Sequence, residues 1–259
     1  MAVALTIAGS DPSGGAGIQA DLKTFHQFGV YGEAVITLLT VQNTLGVARV
    51  EVLPAELVAG QLQAVLEDIP PGAAKTGALG SAEIVRELAR AANDFRFPLV
   101  VDPILTSTHG QPLAGGPALE AMLNELIPRA RLLIPNVPEA EALTGIEIRG
   151  PEEVRRAAEC LRARGARAVL IKGGHRAGPP TDVLLDGTQW HEFTAPRLQT
   201  RHTHGTGCTY SAAITAGLAA GLGLLAAVAR ARRFVREAIR TAPGLGQGQG
   251  PLNHHAACS

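Results

Sequence analysis

The stretch His202-Thr203-His204-Gly205-Thr206-Gly207-Cys208-Thr209 carries the residue types of an anion site. It precedes Ser211 to Leu222, an Ala-, Ile-, Thr- and Leu-rich run that reads as a buried helix. Gly205, Thr206 and Gly207 therefore fall where a loop becomes a helix N-terminus. Amides there have no intrahelical partner, and the helix dipole favours negative charge. Glycines let the backbone turn tightly and approach a ligand, which is what a phosphate cradle needs. Cys208 falls in the first turn, where the dipole is expected to lower a thiol pKa and make the thiolate accessible. The same residues also suit a tight loop capped by Thr206 with a structural Cys, and the stretch alone leaves both readings open.

Further polar groups follow apolar runs. Ala4 to Ala8 leads into Gly9-Ser10-Asp11-Pro12-Ser13-Gly14-Gly15-Ala16-Gly17, a Gly-rich loop without a dinucleotide fingerprint or a P-loop Lys-Ser/Thr. Glu33 to Val41 ends in Gln42-Asn43-Thr44, whose amides could read the edge of a heterocycle or simply form a turn. Leu99 to Val101 ends in Asp102, and Leu132 to Glu141 reads as a strand ending in Asn136, Glu139 and Glu141. Arg167 to Ile171 runs into Lys172-Gly173-Gly174-His175. The only lysines are Lys23, Lys75 and Lys172, in a chain that otherwise uses Arg. A compact ammonium suits phosphate as a point charge; Lys23 reads better as part of a solvated helix face.

These groups must be positioned by a fold. Apolar strand-like runs alternate with helical spacing, such as Pro54 to Leu66, Ser81 to Asn93 and Pro151 to Arg164. Asp182 to Leu185 and Trp190 to Thr194 around Asp186-Gly187 read as a hairpin. A basic helix from Ala226 to Arg240 and a Gly-rich tail close the chain, with His254 and His255 read as frayed in preference to a binding feature. Alternation of this kind argues for a mostly parallel sheet covered on both faces, in one domain over residues 1–259. It places Gly9–Gly17, Gln42, Lys75, Asp102, Asn136, Glu139, Lys172 and Gly205–Cys208 along one edge. An anion hole, lysines and carboxylates at one edge suggest phosphoryl transfer with a divalent cation. Magnesium is held by one or two carboxylates, waters and substrate phosphates, for which Asp102 and Glu139 are the candidates. Glu139 could equally be a helix cap. Cys208 is placed to act as base on an acceptor hydroxyl.

Composition limits the alternatives. With 23 basic and 23 acidic residues the net charge is zero, which argues against a nucleic-acid partner bound by a basic surface. No apolar run reaches the length of a membrane span, and Met1 to Gly9 lacks a basic n-region, so neither membrane insertion nor secretion is expected. Three scattered cysteines suit neither a disulfide framework nor zinc, which points to the cytoplasm.

Thr6-Ile7-Ala8-Gly9-Ser10-Asp11-Pro12-Ser13-Gly14-Gly15-Ala16-Gly17-Ile18-Gln19-Ala20-Asp21-Leu22-Lys23-Thr24-Phe25 resembles the N-terminal signature of the hydroxymethylpyrimidine/phosphomethylpyrimidine kinases of thiamine biosynthesis. Gln42-Asn43-Thr44, Lys75-Thr76-Gly77, Val101-Asp102-Pro103, Pro135-Asn136 with Glu139, Lys172-Gly173-Gly174-His175, Thr203 to Thr209 and Gly250-Pro251-Leu252-Asn253-His254 are similar to that family's blocks, in its order. The resemblance implies a ribokinase-like three-layer α/β/α sandwich with a mostly parallel central sheet. It implies ATP- and Mg²⁺-dependent phosphorylation of 4-amino-5-hydroxymethyl-2-methylpyrimidine and then of its monophosphate, in what is often a homodimer. By position, Gly9, Ala16 and Gln42 match the pyrimidine pocket, with Asp11 and Ala78 beside it, and Asp21 matches an acidic position near the substrate. Gly205, Thr206 and Gly207 match the anion hole, Lys172 and Asn136 the phosphate side, and Cys208 the base.

Three positions depart from the family pattern. Ala78 stands where Met is common, Thr106-Ser107-Thr108-His109-Gly110 replaces a stretch that usually carries Lys-Ser-Gly, and His202 stands where Asn is usual. Pyridoxal kinases of this type share the same machinery and are the nearest alternative, followed by a non-catalytic binding protein on this fold.

Overall fold

A computed structural model describes residues 1–106, 110, 113, 115–174 and 178–258. Nine strands form one sheet: β1 (Val3–Ser10), β2 (Tyr31–Asn43), β3 (Gly46–Val52), β4 (Ala73–Thr76), β5 (Leu99–Val101), β6 (Leu132–Leu133), β7 (Ala168–Ile171), β8 (Thr181–Asp186) and β9 (Gln189–Thr194). Their order is β3-β2-β1-β4-β5-β6-β7-β8-β9. The six from β2 to β7 in that order run parallel, and β3, β8 and β9 add antiparallel edges. Helices α1 (Gly17–Gln27), α2 (Ala55–Asp68), α3 (Ala82–Ala91), α4 (Gly116–Ala121), α5 (Val137–Thr144), α6 (Pro151–Ala163), α7 (Thr206–Ala219) and α8 (Leu224–Arg240) surround it.

Strand periodicity divides the core between the two faces. Leu5 and Ile7 of β1 point to the side of α2, α3 and α6, while Ala4 points to the side of α1, α7 and α8. Val100 and Val101 divide in the same way. The helices α1, α7 and α8 therefore form one layer and α2, α3, α5 and α6 the other, with the sheet between. Helix α7 is buried along nearly its whole length, from Cys208 to Gly217, which explains its uniformly apolar sequence.

The expected strand Leu132–Glu141 is corrected: only Leu132 and Leu133 are extended, and Val137 begins a helix. Asn136 caps that helix, Pro138 lies in its first turn, and the Glu139 side chain returns to the Asn136 amide to close a capping box. Helix α7 starts at Thr206 with Gly205 as its N-cap, where Gly205-Thr206-Gly207 was expected to open it. The tail is not frayed at His254, whose buried ring meets Thr209 Oγ1 at 3.1 Å. Among the described residues no helix is long and apolar enough to cross a membrane.

Candidate functional site

Parallel strands end at the same side of the sheet, so their exit loops converge. There they enclose a cavity of about 840 Å³. Gly9, Asp11, Ala16, Gln42, Ala78, Asp102, Asn136, Glu139, Lys172 and Gly205–Cys208 all line it. Asp21 and Lys75 do not. Their side chains are fully buried and ion-paired at 2.8 Å, and Thr6 Oγ1 donates to the same Asp21 oxygen at 2.6 Å. Asp21 thus sits beneath the cavity wall, close enough for its charge to act on Cys208, with Oδ1 buried and without a hydrogen-bond partner among the described residues.

The N-terminus of α7 is shaped by Gly205, which adopts φ +78°. A side chain there would collide with the carbonyl of Gly15, so only glycine lets the α7 loop seat against the Gly-rich loop after β1. No side chain among the described residues caps α7. The Thr206 hydroxyl donates backward to Thr203 O at 2.7 Å, so the capped-turn reading of Thr206 is set aside. Thr206 N donates to Thr203 O at 3.2 Å, and the next amides of the first turn have no intrahelical partner.

Cys208 is buried in the first turn, as expected, but its thiol is not activated. Burial pushes its pKa up to about 12, and the nearby charge of Lys75 opposes this only partly. Desolvation of a thiolate outweighs the helix dipole here, which corrects the expected lowering.

On the phosphate side, Lys172 leaves β7 with its Nζ 2.9 Å from Asp102 Oδ1 and 3.8 Å from Glu139 Oε2. Ser211 Oγ donates to the other Asp102 oxygen at 3.0 Å. Burial lifts Glu139 to about 7, against the pull of Lys172. Burial alone would lower Lys172, but Asp102 and Glu139 hold it above the ordinary lysine range. A Cβ on Gly207 would lie 3.5 Å from Lys172 Nζ, so the ammonium and the α7 terminus face one another. The set of two carboxylates, both oxygen donors, fits a hard cation that keeps its waters and binds through substrate phosphates. Among the described residues no cluster of three or more His, Cys, Asp or Glu forms a full protein cage.

The other half of the cavity is organised by Asp11. Its carboxylate accepts from Ser13 N at 2.9 Å, Ser13 Oγ at 2.8 Å and Ala16 N at 2.9 Å, and it meets His204 Nε2 at 2.8 Å. Burial acts to raise its pKa, yet His204 and Ser13 together hold it below the usual carboxylate range. Gly9 packs on Leu38, and Ala78 O accepts from Thr37 Oγ1 at 2.6 Å.

Sequence reasoning assigned no role to His204, Ser211, Asp182 or the tail. Asp182 Oδ1 accepts from Gly173 N at 2.9 Å and is paired with Arg232, which anchors the loop carrying Lys172. Gly250 O accepts from His204 N at 3.2 Å, so the tail backs the α7 loop. Position in the Thr203–Thr209 block was the one signal for His204. His202 lies outside the cavity wall, with its ring against Gly250 and its buried Nδ1 without a hydrogen-bond partner among the described residues. Thr106 lines the cavity. Ser107, Thr108 and His109, and likewise His175, lie outside the described residues.

The family model described as phosphomethylpyrimidine kinase matches residues 11–253. The thiamine biosynthesis bifunctional protein ThiED of Geobacter sulfurreducens is 48% identical over 96% of this chain, which spans 51% of that longer protein. The hydroxymethylpyrimidine/phosphomethylpyrimidine kinase of Bacillus subtilis is 46% identical, with 98% of this chain and 94% of that one covered. An ADP complex of Bacillus subtilis pyridoxal kinase superposes with a TM-score of 0.91 at 35% identity, covering 99% of this chain and 98% of that one.

Proposed function

The chain belongs to the phosphomethylpyrimidine kinase family, with its ribokinase-like fold, and we propose that it transfers the terminal phosphoryl group of ATP to 4-amino-5-hydroxymethyl-2-methylpyrimidine and then to the resulting monophosphate. It is a phosphotransferase of thiamine biosynthesis in this reading, one kinase domain over residues 1–259, acting in the cytoplasm as a homodimer.

The observation that carries the reading is that the uncapped α7 terminus and Lys172 lie against one another on a cavity that Cys208, Asp11 and Gln42 also line. The pyrimidine rests among Gly9, Ala16, Gln42 and Ala78. Thr206 N already donates to Thr203 O, so the amides of Gly205 and Gly207 beside it are the ones that donate to the oxygens of the transferring group, where fixed dipoles stabilise charge without reorganising. Lys172, with Asn136 at the same strand ends, holds the donor phosphates. Cys208 takes the proton of the attacking hydroxyl only in the minor fraction of molecules in which its thiol has first lost its own proton to solvent. Magnesium, when bound, supplies neutralising charge to the phosphates, and Asp102 and Glu139 would hold it directly or through water.

A pyridoxal kinase activity is the second reading, favoured by the 0.91 superposition and by the small Ala78 on the pocket wall. ATP turnover with the pyrimidine alcohol, its monophosphate and pyridoxal tests both. Turnover with the two pyrimidines is expected. Turnover with pyridoxal alone moves the assignment to the second reading, and turnover with none overturns both in favour of a binding protein.

A further inference from the structure

Three polar side chains from distant parts of the chain meet at one nitrogen. His204 Nε2 lies 2.8 Å from Asp11 Oδ2 and 3.2 Å from Nε2 of the Gln42 carboxamide. All three residues line the cavity, and His204 is otherwise buried.

The protonation of that nitrogen follows from its neighbours. The Asp11 carboxylate already accepts from two amides and a hydroxyl, so it is ionised and offers only lone pairs. Nε2 must therefore carry a proton, in the neutral ring and in the imidazolium alike. A protonated Nε2 repels an amide NH₂ at 3.2 Å and attracts an amide oxygen. A half-turn about the last bond of Gln42 exchanges its two ends at almost no steric cost, so the network decides which end faces His204. Exchanging the two ends of the Gln42 carboxamide would put Oε1 against the His204 proton, which it would share with Asp11, and turn the donor end to the cavity.

We propose that His204, held by Asp11, is a positioning residue that orients the Gln42 carboxamide so that it presents a hydrogen-bond donor to the substrate. The pocket then selects an aromatic ring with a nitrogen acceptor at that point. The inference rests on the reading of Gln42 as part of the pyrimidine pocket.

Steady-state kinetics with the pyrimidine alcohol and its two pyridine analogues, each with one ring nitrogen replaced by CH, test it. The wild-type enzyme should lose about tenfold to a hundredfold in kcat/KM with one analogue, as expected for a buried donor left unmet. His204→Leu should raise KM for the alcohol about tenfold, keep kcat within about threefold, and erase the discrimination. His204→Gln, which keeps an N–H near the Nε2 position, should restore it. Gln42→Glu leaves the His204–Asp11 pair in place and serves if His204→Leu does not fold; it offers only acceptors and should treat the alcohol and the analogue alike. With the wild type turning over the alcohol, undiminished selectivity in His204→Leu overturns the role of His204, and undiminished selectivity in Gln42→Glu removes Gln42 as the donor and overturns the proposal with it. Absence of wild-type turnover overturns the kinase reading and this proposal with it.

Discussion

Lys172 and Asp102 leave the ends of two parallel strands and meet at 2.9 Å beneath the N-terminus of α7, with the Asp102 side chain fully buried. The pair neutralises a charge that burial would otherwise penalise, and it holds the ammonium 3.5 Å from where a Gly207 side chain would begin. Lys172→Met should therefore act twice. It should lower kcat at least ~100-fold, since the transferring group loses its cation, and leave KM for the pyrimidine nearly unchanged. It should also destabilise the fold by roughly 3 to 5 kcal/mol, because Asp102 is left buried and unpaired. Urea unfolding and steady-state kinetics of the one variant read both effects, and a variant of normal kcat removes Lys172 from the phosphate side.

Cys208 sets the expected pH profile. With its thiol pushed up to about 12, only about one molecule in 10⁵ carries the thiolate at pH 7. If Cys208 is the base, kcat should climb close to tenfold per pH unit between pH 6 and 9 without a plateau. Cys208→Ala should remove the slope and cut turnover far more than binding. A wild-type plateau near neutrality, or near-normal kcat in the variant, leaves Cys208 only as part of the anion hole.

The Asp21–Lys75 pair has no solvent on either side chain. Removing one member strands the other, so Lys75→Met and Asp21→Asn should each cost about 3 to 5 kcal/mol. The double variant Asp21→Leu/Lys75→Met should recover most of that loss, because a volume-matched apolar pair avoids the desolvation penalty. Since neither residue lines the cavity, KM for the pyrimidine should stay within about twofold in the double variant. A large rise in KM there returns Asp21 to the substrate.

His254 ties the tail to α7 and does so uncharged. Burial, with Lys23 and His255 nearby, depresses its pKa to about 4. Its folded value lies below the unfolded value of about 6.5, so the unfolded chain takes up the proton first. Stability is complete above about pH 6.5 and is lost as pH falls toward 4, by up to roughly 3 kcal/mol. His254→Gln should flatten this part of the stability curve measured by urea unfolding from pH 7 to 4. An unchanged acid slope assigns the loss to other groups.

Much of the fold was legible because its signals are local. Short apolar runs ending in Gly, Asp or Lys announce parallel strands, and their alternation with helical spacing announces a covered sheet. The stretch Gly205-Thr206-Gly207 before an apolar run located the helix terminus correctly. Boundaries failed where a cap overrode strand-like composition: Pro135 to Glu141 follows a strand, but the reciprocal Asn136–Glu139 bonds turn it into a helix.

Chemical state was not legible, because it depends on what is packed around a group. The first-turn position of Cys208 suggested a thiolate, and only the packed structure shows the desolvation that keeps the proton on sulfur. Asp21 carried the same charge on paper as Asp102. Tertiary packing put Asp21 under the sheet edge with Lys75 and left Asp102 on the cavity wall. His204 has its meaning only from Asp11 and Gln42, which lie 193 and 162 residues away in the chain. The order of residue types along this chain determined the layers and the edge where chemistry could occur, since both follow from periodicity. Which groups reach the cavity, and in which protonation state, was decided by the burial and long-range contacts that only the folded chain brings about.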